Sequence, residues 1–256
     1  MLELRGITKK FSVFSVVDNA SFTVGPGEVL GYLGPNGAGK TTTIRMLAGL
    51  LEPTKGEIFF EGENIRSDIH RYKKRLGYVP EQSDIYPHLS AYDYLLMVGR
   101  LRGLRDWPLK NKIRAFLRVF DLEKDMHSTI ATYSKGMRQK VLISAALLHD
   151  PDILLLDEPL SGLDVTTSLV IRDLIRNLAS ENKIIIYSSH VLEVTEKICS
   201  KVIILHQGKI VANDSVANLR NLMRLPSLNE IFSQLVLQED TAALAGRLVA
   251  VMKERI

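Results

Sequence analysis

Gly34-Pro35-Asn36-Gly37-Ala38-Gly39-Lys40-Thr41, followed by Thr42, carries the spacing Gly-x4-Gly-Lys-Thr and decides the fold. In such a loop the backbone N–H groups turn inward around a polyphosphate, the lysine contacts the β- and γ-phosphates, and the threonine hydroxyl binds Mg²⁺. The apolar stretch 28–33 before the loop predicts a strand, and apolar residues at helical spacing follow it. A helix that begins at the loop directs its dipole toward an anion. This order predicts a nucleoside triphosphate site rather than a simple glycine-rich turn.

Composition places the chain among ordinary globular proteins. It has 256 residues, 46% of them hydrophobic and 24% charged, with a formal net charge of +4. This mild charge allows contact with an anionic membrane or nucleic acid but does not require either. The single cysteine, Cys199, excludes an internal disulfide and fits a reducing compartment. The longest apolar runs, 153–156 and 184–187, are far shorter than the roughly 18–20 residues that span a bilayer, and the N-terminus has no signal-peptide core. We therefore expect a cytosolic chain that reaches a membrane only through a partner.

The order of apolar patterns predicts a mixed α/β fold. Residues 1 to about 35 and 57–60 are strand-rich, whereas apolar residues recur at helical spacing between about 85 and 150. The apolar runs 153–156 and 184–187, separated by a helical pattern, predict parallel strands that are buried on both faces. We expect an antiparallel N-terminal β subdomain, a core with a parallel or mixed sheet, and a helical insertion at about 85–150. Residues 1–215 would form this domain, and the weakly patterned residues 216–256 a C-terminal extension.

Two acidic residues follow the apolar run Ile153-Leu154-Leu155-Leu156. In an α/β sheet the end of such a strand lies beside the phosphate loop, at the edge where ligands bind. Asp157 is predicted to hold Mg²⁺, directly or through water, and Glu158 to polarise the attacking water. The alternative is a solvated acidic turn.

A second helix start of interest lies in Tyr133-Ser134-Lys135-Gly136-Met137. A serine and a glycine at this position could bind an anion at the helix N-terminus. Taken alone, the pattern favours an ordinary N-cap.

Taken together, these motifs resemble the ATP-binding cassette (ABC) ATPases over most of the chain, from Phe11 to about Ala212. In that family two nucleotide-binding domains pair head to tail. ATP lies between the phosphate loop of one domain and the serine-containing helix start of the other. The usual Leu-Ser-Gly-Gly-Gln segment is altered here by Tyr133, Lys135 and Met137. Ser134 and Gly136, which the resemblance assigns to the γ-phosphate, are kept.

The resemblance also implies roles for four isolated residues. Gln82 would sense Mg²⁺ and the attacking water, and His190 would hydrogen-bond the γ-phosphate. Phe11 would stack on adenine, and Asp164 would lie at the dimer seam. Without the resemblance, Gln82 is an ordinary loop residue, His190 a histidine at a sheet edge and Phe11 a core side chain. The implied cofactors are ATP and Mg²⁺.

The implied function is ATP hydrolysis that powers transport, in a subunit most like those of bacterial exporters. The partners would be transmembrane permease subunits and a second nucleotide-binding subunit, identical or different, with no nucleic acid. The location would be the cytoplasmic face of the membrane, held there by the membrane subunits. The alternative is a soluble ABC ATPase acting on nucleic acid or ribosomes, but such members carry two cassettes or long coiled coils. A P-loop kinase or GTPase would leave the Ser134 segment unexplained.

An aromatic and apolar cluster follows Gln82 in the sequence. We expect part of it to line a groove for a short cytoplasmic helix of the membrane subunit, although helical-subdomain core is the plainer interpretation. The cluster comprises Ile85, Tyr86, Pro87, Leu89, Tyr92 and Tyr94.

Overall fold

The computed structural model describes residues 1–82, 85–236 and 252. Strands and helices alternate through most of this range. The strands are β1 (Leu2–Phe11), β2 (Phe14–Val24), β3 (Val29–Leu33), β4 (Lys55–Phe60), β5 (Glu63–Asn64), β6 (Leu76–Val79), β7 (Ile153–Asp157), β8 (Ile184–Ser188), β9 (Lys201–His206) and β10 (Lys209–Ser215). The helices are α1 (Lys40–Leu47), α2 (Ile69–Lys74), α3 (Ala91–Leu101), α4 (Asp106–Val119), α5 (Lys135–Leu147), α6 (Val165–Ser180), α7 (Leu192–Ile198), α8 (Val216–Met223) and α9 (Leu228–Val236).

The strands form two sheets. A four-stranded antiparallel sheet has the order β2-β1-β4-β5, and a six-stranded sheet has the order β10-β9-β3-β8-β7-β6. In the larger sheet the neighbours from β9 to β6 run parallel, and only the edge strand β10 is antiparallel. The predicted α/β class, with its antiparallel N-terminal part and mixed sheet, is confirmed.

The central strands are apolar throughout because both faces of the larger sheet are covered. In β7, Leu154 and Leu156 belong to the core beneath the helices α3 to α7 and α9. Ile153 and Leu155 point the other way, into the core shared with the antiparallel sheet and α1. Successive side chains of a strand alternate between faces, so burial on both sides requires a continuous apolar run.

The helical insertion lies between β6 and β7 and contains α3, α4 and α5. The Ser90 hydroxyl caps α3 by accepting a hydrogen bond from the Asp93 backbone N–H, at 3.1 Å. In α4, Leu109, Ile113 and Leu117 recur at helical spacing and are buried against the core. The insertion therefore packs on the same face of the larger sheet as α6 and α7.

Residues 216–236 are more ordered than the weak sequence pattern indicates. They form α8 and α9, and Leu228 and Ile231 of α9 are fully buried beside α7. Arg220 of α8 forms an ion pair with Glu196 of α7. The rest of the predicted C-terminal extension lies outside the described residues, apart from Met252. Among the helices of the described part of the chain, none has the length and apolarity needed to cross a bilayer.

Candidate functional site

A cavity of about 570 Å³ opens at the carboxyl edge of the larger sheet, beside the start of α1. Loops that follow β3, β6, β7 and β8 surround it, as expected for a ligand site in an α/β sheet. Its lining residues are Val16, Asn36, Gly37, Gly39, Lys40, Thr41, Thr42, Glu81, Asp157, Glu158 and His190.

The phosphate loop folds around its own lysine. The Lys40 ammonium donates hydrogen bonds to the backbone carbonyl oxygens of Gly34, at 2.7 Å, and Pro35, at 3.1 Å. Only 8% of Lys40 is exposed. Burial lowers the pKa of Lys40, and the nearby carboxylates of Glu158, Asp157 and Glu81 oppose this effect. The loop thus holds a cation at the cavity floor, next to three acidic side chains.

Gly39, which precedes α1, has a backbone that only glycine adopts readily. Its φ is +105°, and an added Cβ would lie 2.5 Å from the Val16 carbonyl oxygen. The close approach of β2 to the loop therefore depends on the absence of a side chain. It places Val16 in the cavity wall, a position that the sequence analysis did not identify.

Asp157 ends β7 at the cavity and is 0% exposed. Neither carboxylate oxygen has a hydrogen-bond partner of normal geometry among the described residues. Burial raises the pKa of Asp157, whereas the hydroxyls of Thr41 and Ser188 lie near enough to oppose the rise. A buried carboxylate in this condition is stabilised by a cation.

Glu158 follows immediately and adopts a left-handed backbone conformation, with φ +50°. Its backbone N–H donates to the Ser188 carbonyl oxygen at 3.1 Å, which joins the end of β7 to the end of β8. The Glu158 Oε1 atom lies 2.8 Å from Nδ1 of His190, whose side chain is 66% exposed. The structure therefore brings the predicted residues Glu158 and His190 into direct contact.

Gln82 is not among the residues that line the cavity, whereas the adjacent Glu81 is. Gln82 is exposed and absent from the lining, whereas Oε2 of Glu81 lies 3.4 Å from Oγ1 of Thr41. β6 ends at Val79, which pairs with Leu156 of β7, and Glu81 follows two residues later. No local pattern in the sequence separates Glu81 from Gln82, because the two polar residues are adjacent.

Ser134, Gly136 and Asp164 do not line the cavity. Ser134 caps α5 by accepting a hydrogen bond from the Met137 backbone N–H, at 3.2 Å. Asp164 caps α6 by accepting from the backbone N–H and the hydroxyl of Thr167, and these bonds lower its pKa to about 2. Ser134 and Asp164 are both exposed to solvent.

The two helix starts are nevertheless held together. The Lys135 ammonium donates to the Ser161 hydroxyl at 2.6 Å, and a Cβ on Gly136 would lie 2.6 Å from the Gly162 carbonyl oxygen. One turn further along α5, Lys140 lies 3.6 Å from Asp164. The first turn of α5 is therefore packed against the loop 159–164 that follows Glu158.

Phe11 lies at the end of β1, half exposed and outside the cavity lining, with the Lys9 ammonium 5.2 Å from its ring centroid. In the expected groove, Ile85, Tyr92 and Tyr94 pack against the helical core, and Tyr86 is exposed. The core interpretation therefore fits three of the six cluster residues.

Comparison with known proteins agrees with this geometry. The family described as ABC transporter matches residues 17–161, which include the phosphate loop and Asp157-Glu158. The ABC transporter ATP-binding protein NatA of Bacillus subtilis (strain 168) is 39% identical over 237 residues, 91% of this chain and 96% of that protein. The Nod factor export ATP-binding protein I of Ralstonia nicotianae (strain ATCC BAA-1114 / GMI1000) is 34% identical over 212 residues, 83% of this chain and 66% of that protein.

Two solved structures share the fold. An ATP-binding subunit of an ABC transporter superposes with a TM-score of 0.86 and 31% identity, covering 92% of this chain and 99% of its own. The ATP-binding cassette MJ0796, a dimer in a post-hydrolysis state with ADP and Pi, has a TM-score of 0.78 at 22% identity, covering 84% and 98%. The chain therefore belongs to the ABC transporter family, as one of its ATP-binding ATPase subunits.

Proposed function

We propose that this subunit binds Mg²⁺-ATP in the cavity at the edge of the larger sheet and hydrolyses it with Glu158 as the general base. The observation that carries the proposal is the convergence of a buried lysine and two adjacent carboxylates on one cavity. Lys40 would contact the β- and γ-phosphates, and the backbone N–H groups of the loop would bind the remaining phosphate oxygens. Phe11 would support the adenine at the outer end of the site.

The residues at the cavity fit Mg²⁺. The described residues contain no cluster of three or more His, Cys, Asp or Glu side chains that would hold a metal unaided. Mg²⁺ usually binds through one or two carboxylates together with substrate phosphates, so such a cluster is not needed. Asp157, Thr41 and Glu81 would hold the ion, and Glu81 takes the role that the sequence resemblance gave to Gln82. When bound, Mg²⁺ would neutralise charge on the transferred phosphoryl group.

Glu158 would act on the attacking water, and His190 would act on the γ-phosphate. Glu158 would accept a proton from the water that attacks the phosphorus atom. His190, whose Nδ1 lies against Glu158, would keep that carboxylate in place and donate to a γ-phosphate oxygen. The bond between the γ-phosphorus and the bridging oxygen would break, and ADP, phosphate and the proton would then leave through the open side of the cavity.

The site is completed by a second cassette. Ser134 and Gly136 lie at a helix start that faces solvent, so they would contact nucleotide held by the phosphate loop of another subunit, with Asp164 at the seam. The dimeric form of the structurally similar cassette MJ0796 supports this arrangement. Whether the second cassette is identical or different, the same two helix starts would face it.

The work done by hydrolysis would drive transport through separate transmembrane permease subunits, which would hold this subunit at the cytoplasmic face of the membrane. Export is the proposed direction, supported by the 34% identity to a Nod factor export ATP-binding protein. The predicted domain of residues 1–215, with a helical subdomain at about 85–150, would be the part that carries this cycle. The alternative action on nucleic acid or ribosomes receives no support.

The experiment that tests the proposal is the substitution Glu158→Gln. The amide keeps the shape of the side chain but cannot accept the proton, so hydrolysis should slow by roughly 10²–10⁴ while ATP binding is retained. The ATP-bound dimer should then accumulate, and size-exclusion chromatography with and without ATP measures it. A variant that stays monomeric and hydrolyses ATP normally would remove Glu158 from its proposed role.

A further inference from the structure

The net charge of the chain is concentrated in one short segment. Between Arg100 and Val119 there are seven basic residues and one acidic residue, a formal charge of +6, whereas the whole chain carries +4. This segment is the end of α3, the connecting loop and all of α4. The rest of the molecule is therefore slightly acidic, and the positive field of the subunit comes from this corner of the helical insertion.

Two large apolar side chains project from the same corner. Leu101, at the end of α3, and Trp107, in the first turn of α4, are each 78% exposed. Arg100 and Asp106 hold these two helix ends together through two hydrogen bonds, of 2.9 and 2.6 Å. The exposed leucine and tryptophan thus lie on adjoining helix ends, surrounded by basic residues.

On α4 the basic residues continue along the face that carries the tryptophan. Trp107, Lys110 and Arg114 are spaced by three and four residues, so they share one side of the helix, distinct from the buried side of Leu109 and Ile113. The three side chains extend over about 10 Å of helix. No acidic group of the described chain lies within ion-pair distance of Lys110 or Arg114, and all three side chains are exposed.

Further basic residues lie beside the end of α3, on the neighbouring helix α2. A groove of about 310 Å³ beside the end of α3 is lined by His70, Lys73, Lys74 and Arg102, with Leu101 at its rim, and contains no acidic residue. Arg102 donates to the Lys73 carbonyl oxygen, which fixes the end of α3 against α2. The basic groove therefore adjoins the corner at Leu101, which belongs to both.

We propose that this surface, comprising Leu101, Trp107, Lys110 and Arg114 with the adjoining groove, contacts the anionic lipid headgroups of a membrane directly. A tryptophan and a leucine flanked by lysine and arginine match the interface between headgroups and acyl chains, where aromatic rings and long basic side chains are both favourable. Anionic lipids supply the complementary charge. The contact is separate from the ATP site and would orient the subunit without the membrane subunits.

The chain offers a direct probe, because Trp107 is its only tryptophan. The purified full chain is titrated with vesicles of phosphatidylcholine alone and of phosphatidylcholine mixed equally with phosphatidylglycerol. We expect the Trp107 emission to shift to shorter wavelength only with the anionic vesicles, and the shift to reverse at high salt. Sedimentation of the protein with the same vesicles gives the affinity.

Two double variants distinguish vesicle binding through this surface from binding through the overall positive charge of the chain. Lys110→Gln combined with Arg114→Gln should weaken vesicle affinity about 25-fold, since each basic residue near an anionic surface contributes roughly a factor of five. Lys55→Gln combined with Lys197→Gln removes the same charge from two exposed positions elsewhere and should leave the affinity nearly unchanged. ATP hydrolysis should be unchanged in both.

Three results would overturn the proposal. The first is an equal emission shift with neutral vesicles, or no shift with either kind. The second is an equal loss of affinity in the control variant. The third is binding of RNA or DNA by the same residues with no vesicle binding, which would assign the surface to nucleic acid.

Discussion

Replacement of Glu81 by glutamine tests the point at which the structure departs most from the sequence analysis. Oε2 of Glu81 lies 3.4 Å from the hydroxyl of Thr41, a proposed Mg²⁺ ligand. Its charge also raises the pKa of Asp157. Glu81 is therefore part of the field that a divalent cation would experience, and Glu81→Gln removes its charge while preserving its shape.

The size of the expected loss in Mg²⁺ affinity follows from the position of Glu81 beside Thr41 and Asp157, two of the proposed Mg²⁺ ligands. Loss of a side chain that supports metal ligands costs about 10–100-fold in metal affinity. At roughly 1.4 kcal/mol for each factor of ten, this corresponds to about 1.4–2.8 kcal/mol. The assay is the rate of ATP hydrolysis as a function of free Mg²⁺ at saturating ATP. We expect the Mg²⁺ concentration for half-maximal rate to rise by about 10–100-fold, with most of the maximal rate recovered at high Mg²⁺.

Gln82→Ala is the matched control, because Gln82 is the adjacent residue and its side chain is exposed. It should leave the Mg²⁺ requirement close to that of the unaltered protein. A normal Mg²⁺ requirement in Glu81→Gln together with a raised one in Gln82→Ala would refute the reasoning, and would return the role to Gln82.

The remaining predictions concern the two most buried charged groups of the site. Lys40→Ala should reduce ATP hydrolysis by about 10³-fold or more, because it removes the side-chain cation at the transferring phosphoryl group; unchanged turnover of the purified variant would contradict the assignment. Asp157→Asn should abolish Mg²⁺-dependent hydrolysis and, without nucleotide, raise the free energy of unfolding at neutral pH by about 1 kcal/mol. Since burial raises the pKa of Asp157, the ionised form destabilises the fold, so this gain should be absent below the ordinary value of 3.8 and appear as the pH rises above it. Urea unfolding of the variant and of the unaltered protein across this pH range measures the difference between their free energies of unfolding. A difference that is largest in acid would contradict the prediction.

Sequence alone located the elements whose signals are local. The phosphate loop needs a fixed order of glycines, a lysine and a threonine, and the acidic pair follows a strand that is apolar on both faces. Such patterns can be recognised in a sequence because each depends on residues that are close together in the chain. The strand-rich N-terminal part and the parallel central strands followed from the same run lengths and turns, whereas the order of the strands in the larger sheet was not predicted.

The features that sequence missed depend on which way a side chain faces or on distant contacts. Glu81 and Gln82 are both polar and adjacent, and only the folded structure shows that Glu81 lines the cavity and Gln82 does not. The helices α8 and α9 span only eight and nine residues, and burial of Leu228 beside α7 stabilises a helix of this length. The contact of Lys135 with Ser161 joins residues 26 positions apart.

The close packing of Gly136 against Gly162 limits how this protein can vary. Any side chain at position 136 would displace the loop 159–164 at Gly162, so a change made on the outer face of the molecule would disturb the segment that follows Glu158. Lys135 is different, because its side chain is exposed and lies over Gly162. A substitution at position 135 therefore loses the hydrogen bond to Ser161 without a backbone clash, whereas position 136 admits only the smallest residue.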